Sequence, residues 1–329
     1  MKNTGRLPAI GAALGMFLLI LDSKTALHGA QDGLQLCLRT VVPALFPFFV
    51  FSALLTGSMG TMTTGWLRPL ERWAGIPKGA GPVLLAGYLG GYPIGAKCIG
   101  AANRQGRIRN QDAARMMAFC NNAGPSFIFG IAAAMFAEKW VGPALWGIQI
   151  VSSLAVGAII PGKSTESFLN TKSRPITIPA AVHDSAKAMA GVCSWVLLFR
   201  VTLAFLDRWF LWILPKQVSI IITGILELAN GCCCLDQIPD PGMRFVICTG
   251  ILTFGGLCVG MQTASAADGV PLKWYLPGKL LQTALSVSLA LAMTKRKYVW
   301  VILAIMIPFL VFCSEKAKIR GRISERVGV

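Results

Sequence analysis

Runs of roughly 20 mostly apolar residues recur from near the start of this chain almost to its end, each long enough to cross a hydrocarbon core of about 30 Å. Of the 329 residues, 54% are hydrophobic and 14% charged, and the mean hydropathy is +0.62. The sequence reads as an all-α, polytopic integral membrane protein. The apolar windows leave no stretch for a separate soluble domain, so residues 1–329 form a single integral-membrane domain.

The formal net charge is +17, from 31 Lys and Arg against 14 Asp and Glu. These charges lie between apolar runs, where they set topology and meet anionic lipid. The bilayer is the expected partner, with the chain working alone or as a homo-oligomer, and nucleic acid is not needed to explain the basic residues. Ten cysteines are scattered, mostly inside apolar runs, and Cys232, Cys233 and Cys234 stand in a row without CxxC spacing or a nearby histidine. They read as small apolar residues, and no metal or cofactor is expected.

Lys2 and Arg6 precede a first membrane helix, Leu7 to Leu21, with no small-x-small cleavage site after it. The next span, Leu36 to Leu55, holds Pro43 and Pro47, which should kink it. A polar link, Thr56 to Lys78, leads to the glycine-rich "GYLGGYPIGAKCIG" and the basic stretch Asn103 to Arg115. A long span, Ala113 to Phe136, is interrupted by "CNNAGPS"; Val141 to Pro161 is unbroken by charge. The polar stretch Gly162 to Lys187 divides the chain.

The order of elements then recurs: a span at Ala188 to Leu206, a short glycine-bearing segment at Ile222 to Cys234, and a glycine-broken span at Phe245 to Ser265. This order suggests inverted repeats, with repeat one near 34–137, a linking span and loop at 138–187, and repeat two near 188–267. C-terminal spans over 274–313 and a basic tail, 314–329, complete the chain. Both the loop 162–187 and the tail ask to be cytoplasmic, whereas Lys295 to Lys297 would fall opposite the tail if Tyr298 to Cys313 spans.

Non-helical backbone at membrane depth is tolerated only where protein or a watery cavity covers it. The sequence puts such breaks in four segments, two per half. In the first, Gly90, Gly91, Pro93 and Gly95 allow a re-entrant hairpin to turn, with Lys97 about one helical turn beyond. In the second, Pro125 cannot donate to the carbonyl of Asn121, which frees that acceptor beside the Asn121 and Asn122 side chains; Ser126 shares a face with Asn122 if helix persists. In the third, Glu227 sits in an apolar run with Asn230 after it. An ionisable group at that depth is a functional candidate by default, or else pairs with a structural cation such as Arg200 or Lys97. The fourth offers Gly255 and Gly256 followed by Gln262, although Gly256 and Gly260 also spell GxxxG, a helix-packing signal.

Two hairpin-like segments and two broken helices fit a solute site between two repeats, and so a transporter. Half-helix N-termini would favour an anionic group, Lys97 would add a charge, and Glu227 would carry a coupling proton or cation. A membrane enzyme is not expected: there is no HExxH, no nucleophile with a base, and both histidines, His28 and His183, fall in polar links. A structural or assembly protein would explain the glycines but not Lys97 and Glu227 beside helix breakers.

The segments "VVPALFPFFVFSALL", "GYPIGAK", "RMMAFCNNAGPSFIFG", "ILELANG" and "FGGLCVGMQTAS", in that order, resemble the YlbJ (SpoVV) family of sporulation integral membrane proteins, within the nucleoside-recognition or gate superfamily. That superfamily is similar to concentrative nucleoside transporters, with re-entrant hairpins and broken helices around the substrate. The resemblance implies a carrier of dipicolinate, a small aromatic dianion, across the outer forespore membrane of an endospore-forming bacterium. A nucleoside-type solute is the alternative within transport. Tyr92, where the family often has phenylalanine, Arg200 and the triple cysteine depart from the family pattern.

Overall fold

The computed structural model describes residues 6–58, 65–160, 162 and 176–294. It is helical throughout, with no strand among the described residues. The helices are α1 (Arg6–Leu21), α2 (Ser23–Leu54), α3 (Arg68–Ala74), α4 (Gly81–Gly90), α5 (Ile94–Arg104), α6 (Asn110–Met116), α7 (Pro125–Met135) and α8 (Val141–Ile159) in the first half. The second half holds α9 (Ile178–Trp209), α10 (Lys216–Leu226), α11 (Leu228–Cys233), α12 (Pro241–Phe254), α13 (Gly256–Ala267) and α14 (Tyr275–Thr294). Helices long and apolar enough to cross a membrane are α2, α8, α9, the α12–α13 pair and α14. The proposed span at Tyr298 to Cys313 and the basic tail lie outside the described residues.

The same sequence of elements occurs twice. A long helix (α2, α9) is followed by a short hairpin (α4–α5, α10–α11), a broken helix (α6–α7, α12–α13) and a continuous span (α8, α14). The span α8, which the sequence suggested as a linker, thus stands in the same place of the order as α14. The long helices run antiparallel. Gly29 packs on Ala204 and Val201, Gly33 on Leu197, and the Cys37 thiol donates to the carbonyl of Cys193 at 3.8 Å, so one number rises as the other falls.

Both long helices begin earlier than the hydropathy suggested. α2 takes in "SKTALHGAQDGLQL", where the Asp22 carboxylate caps the first turn by accepting from Thr25 N at 3.2 Å. A π-helical stretch, Cys37–Val41, precedes Pro43, whose ring cannot donate to the carbonyl of Arg39. α9 starts at Ile178 because Thr177 accepts from Ala180 N and Pro179 sits in the first turn, so part of the supposed loop is helix.

Two spans, α8 and α14, are polar inside and apolar outside. On α14 the buried residues include Gly278, Lys279, Gln282, Ser286 and Ala290, a single helical face, while Leu276 and Leu280 point outward. α8 turns Gln149, Ser152 and Ser153 inward in the same way. The two faces meet where Ser286 Oγ donates to Ser152 Oγ at 2.8 Å. With lipid outside there is no hydrophobic drive between helices, and small residues and interhelical hydrogen bonds do the packing.

Two arginines tie helix ends together. Arg115 is buried and donates to the carbonyls of Ala74, Gly75, Gly157 and Ile160, the last turns of α3 and α8. Arg244, near the start of α12, donates to Met135 O at 2.9 Å and Ile238 O at 2.7 Å. Each satisfies C-terminal carbonyls that helix geometry leaves open.

Candidate functional site

All four breaks expected from the sequence are present. In the first hairpin, α4 and α5 are 10 and 11 residues long, about 15 and 16 Å at 1.5 Å per residue, half of a membrane crossing each. Between them Gly91 takes φ 76°, open to glycine, and the Tyr92–Pro93 peptide is cis. A side chain at Gly91 would meet Gly124 N at 2.6 Å, and one at Gly124 would meet Gly91 Cα at 2.9 Å. The first and second breaks therefore cross backbone against backbone.

In the second break the chain is extended, so Asn122 and Ser126 do not share a helical face. The extension frees both asparagines to reach other elements. Asn121 Oδ1 accepts from Ala96 N, an otherwise open donor in the first turn of α5, at 3.4 Å. Its Nδ2 donates to Thr263 Oγ1 on α13 at 2.8 Å, joining the two halves.

The third break is built by Glu227. Its carboxylate accepts from Ala229 N at 3.1 Å, Asn230 N at 2.6 Å and Asn230 Nδ2 at 2.7 Å, which caps α11. Neither expected cation pairs with it: Arg200 binds Asp32 at 2.9 Å and Asp207 at 3.3 Å, and Lys97 is exposed on α5. At the fourth break Gly255 and Gly256 take φ of 83° and 81°. A side chain on Gly256 would meet Gly224 O at 2.9 Å, whereas the nearest atom to one on Gly260 lies at 3.9 Å. The glycines serve the break and its contact with α10, and GxxxG packing does not account for them.

The four breaks converge on one cavity of about 30 Å³. Gly91, Tyr92 and Gly124 line it from the first half, and Glu227, Ala229 and Gln262 from the second. Val41 and Leu45 of α2, with Val192 and Val196 of α9, close its apolar side. One water needs about 10–15 Å³ of such space, so this state holds about two waters and no organic solute.

Of the residues anticipated from sequence, Gly90, Pro93, Gly95, Gly255 and Gly256 shape the turns. A side chain on Gly90 would strike Ile94 and Ser52, and one on Gly95 the backbone at Cys120 and Asn121. Ser126 is buried with no partner for its hydroxyl, Asn230 is half-buried on Glu227, and Gln262 donates to Cys258 Sγ at 3.4 Å. Lys97 does not line the cavity.

The buried cation is instead Lys279 on α14, 1% exposed. Its ammonium donates to Tyr92 Oη at 3.0 Å, Gln282 Oε1 at 3.0 Å and Asn122 Oδ1 at 3.3 Å, and lies 5.0 Å from the Tyr92 ring centre. Gln282 Nε2 donates to the same Asn122 oxygen at 2.8 Å, and Tyr92 Oη leans on Leu252 O and Thr253 O at 3.4 and 3.3 Å. The signal was present in "KLLQTALS", where Lys279, Gln282 and Ser286 repeat at helical spacing inside an apolar run.

Spans with polar faces turned inward, short paired helices and breaks meeting at a central cavity define a polytopic helical membrane protein. The chain is 25% identical over 315 residues to the sporulation integral membrane protein YlbJ of Bacillus subtilis (strain 168), covering 80% of this chain and 76% of that protein. The chain is thus similar to that sporulation membrane protein along most of its length. No family model matches it, and no solved structure gives a significant match.

Proposed function

We propose that the chain is a membrane carrier of a small organic anion, with dipicolinate as its solute and the outer forespore membrane as its place of work. The observation that carries this reading is the convergence of four helix breaks on one cavity lined by Glu227 and by Tyr92, with Lys279 behind the Tyr92 hydroxyl and neither charge in an ion pair among the described residues. Intramembrane charges and unwound helices at a repeat interface are the usual ingredients of a solute site. The name of the Bacillus subtilis relative supports a role in sporulation.

Alternating access follows from the same order of elements occurring twice. If α2, α6–α7 and α8 each cross once and the hairpin re-enters, the second unit begins on the opposite side and is inverted, in keeping with the antiparallel α2 and α9. Arg68, Arg72, Lys78, Arg104, Arg107 and Arg109 then share one face, the cytoplasmic one by the positive-inside rule. A cavity of about 30 Å³ requires the breaks to part when solute enters.

The amide-rich seam of Asn121, Asn122, Gln149 and Gln282 favours a second reading, a neutral nucleoside-type solute. Uptake into proteoliposomes carrying the full chain separates the two. Saturable entry of labelled dipicolinate with none of a nucleoside is expected; the reverse would replace the anion reading, and no entry of either by folded, inserted protein would end both.

A further inference from the structure

We propose that Lys279 is the group that receives a carboxylate of the carried solute, and that the Tyr92 hydroxyl occupies that position while the site is empty. The inference rests on the anion-carrier reading and assigns its charge to a residue.

The ammonium of Lys279 has three protons, and all three go to neutral oxygens on three different elements: the first break, the second break and its own helix. No carboxylate pairs with it among the described residues. The other buried acidic groups are committed elsewhere: Glu71 to Gly79 N and Gly81 N, Asp112 to Arg109, and Glu227 to the start of α11. A buried cation surrounded only by neutral acceptors is unfavourable, and an incoming anion is the partner it lacks.

Tyr92 connects this charge to the cavity. It lines the cavity, accepts from Lys279, and packs over Gly255, where a side chain would come within 3.0 Å of its ring and hydroxyl. Its own proton finds only long contacts at 3.3 and 3.4 Å to backbone carbonyls. A carboxylate entering beside Tyr92 exchanges a neutral oxygen on Lys279 for a charged one, the stronger acceptor. Thr253, whose carbonyl meets Tyr92 Oη, also carries a hydroxyl that is 0% exposed and without a partner, a donor open to a second polar group. Gln149 Oε1, also buried without a partner, is an acceptor and suits a bridging water.

The test is thermal unfolding of the full chain in detergent, titrated with dipicolinate and, separately, with a nucleoside. Wild type is expected to be protected by dipicolinate. Lys279→Gln, which keeps donors and removes the charge, is expected to lose that protection, and Lys279→Arg to keep part of it. Tyr92→Phe removes the competing hydroxyl, so dipicolinate should bind more tightly by roughly tenfold or more, the worth of one hydrogen bond to a charged group. This variant carries the test if Lys279→Gln does not fold. Undiminished protection of Lys279→Gln would overturn the assignment of Lys279 while leaving an anion carrier, and weaker binding by Tyr92→Phe would overturn the role of its hydroxyl. Protection of wild type by the nucleoside alone would overturn this inference together with the reading beneath it.

Discussion

Glu227, which lines the cavity, and Lys279, which reaches it through Tyr92, are both buried ionisable groups, yet they are held in opposite ways. The carboxylate is satisfied within three residues by the backbone and side chain of its own helix start. The ammonium is satisfied by Asn122 and Tyr92, 157 and 187 residues away, together with Gln282 one turn along. Glu227 therefore belongs to the local architecture of its hairpin, and removing it exposes backbone donors. Lys279 depends on the assembled bundle, and its charge has no counterpart.

The contrast is broken most forcefully by Glu227→Ala. It leaves three donors without an acceptor, each worth about 1–3 kcal/mol when buried, so a loss of about 3 kcal/mol or more is expected in thermal or denaturant unfolding. Glu227→Gln keeps one acceptor and should lose clearly less. An equal loss in both would show that the charge, and not the cap, is what matters. Asn122→Ala comes next, at about 2 kcal/mol, because its oxygen serves both Lys279 and Gln282. If its melting point matched wild type, the seam would not hold the halves together.

Lys279→Gln should change stability in the other direction, by about 1 kcal/mol upward without solute, since replacing a buried charge that lacks a partner by a neutral group is often stabilising. A marked fall would make Lys279 a structural group like Glu227. Lys97→Ala should stay within about 0.5 kcal/mol of wild type, as exposed substitutions generally do, and should transport normally. A carrier silenced by Lys97→Ala would return the anion-binding role to the position that sequence suggested.

Much of this arrangement was legible in the sequence. Gly91, Pro125, Glu227 and Gly255 mark real breaks because each acts on its own backbone, through positive φ, a missing N–H or a cap, and such effects do not wait for tertiary structure. The convergence of the breaks followed from the cost of bare backbone in lipid. Lys279 was missed because hydropathy averages over a helix, and α14 is apolar on average while its inward face is polar. Lys97 drew attention through its glycine-rich neighbourhood, but helical phase turns it outward. The early start of α9 was written in Thr177 and Pro179, and a polar composition concealed it.

The formal charges of Lys279 and Glu227, one positive and one negative, sum to zero. Membrane voltage therefore exerts little net pull on the empty site, whereas each elementary charge that crosses the full potential is worth about 2.3 kcal/mol per 100 mV. A dianion carried without a companion ion would make the loaded passage feel twice that pull, and a potassium-diffusion potential imposed across proteoliposomes would speed it in one direction and slow it in the other. On such a carrier the solute itself is the voltage sensor.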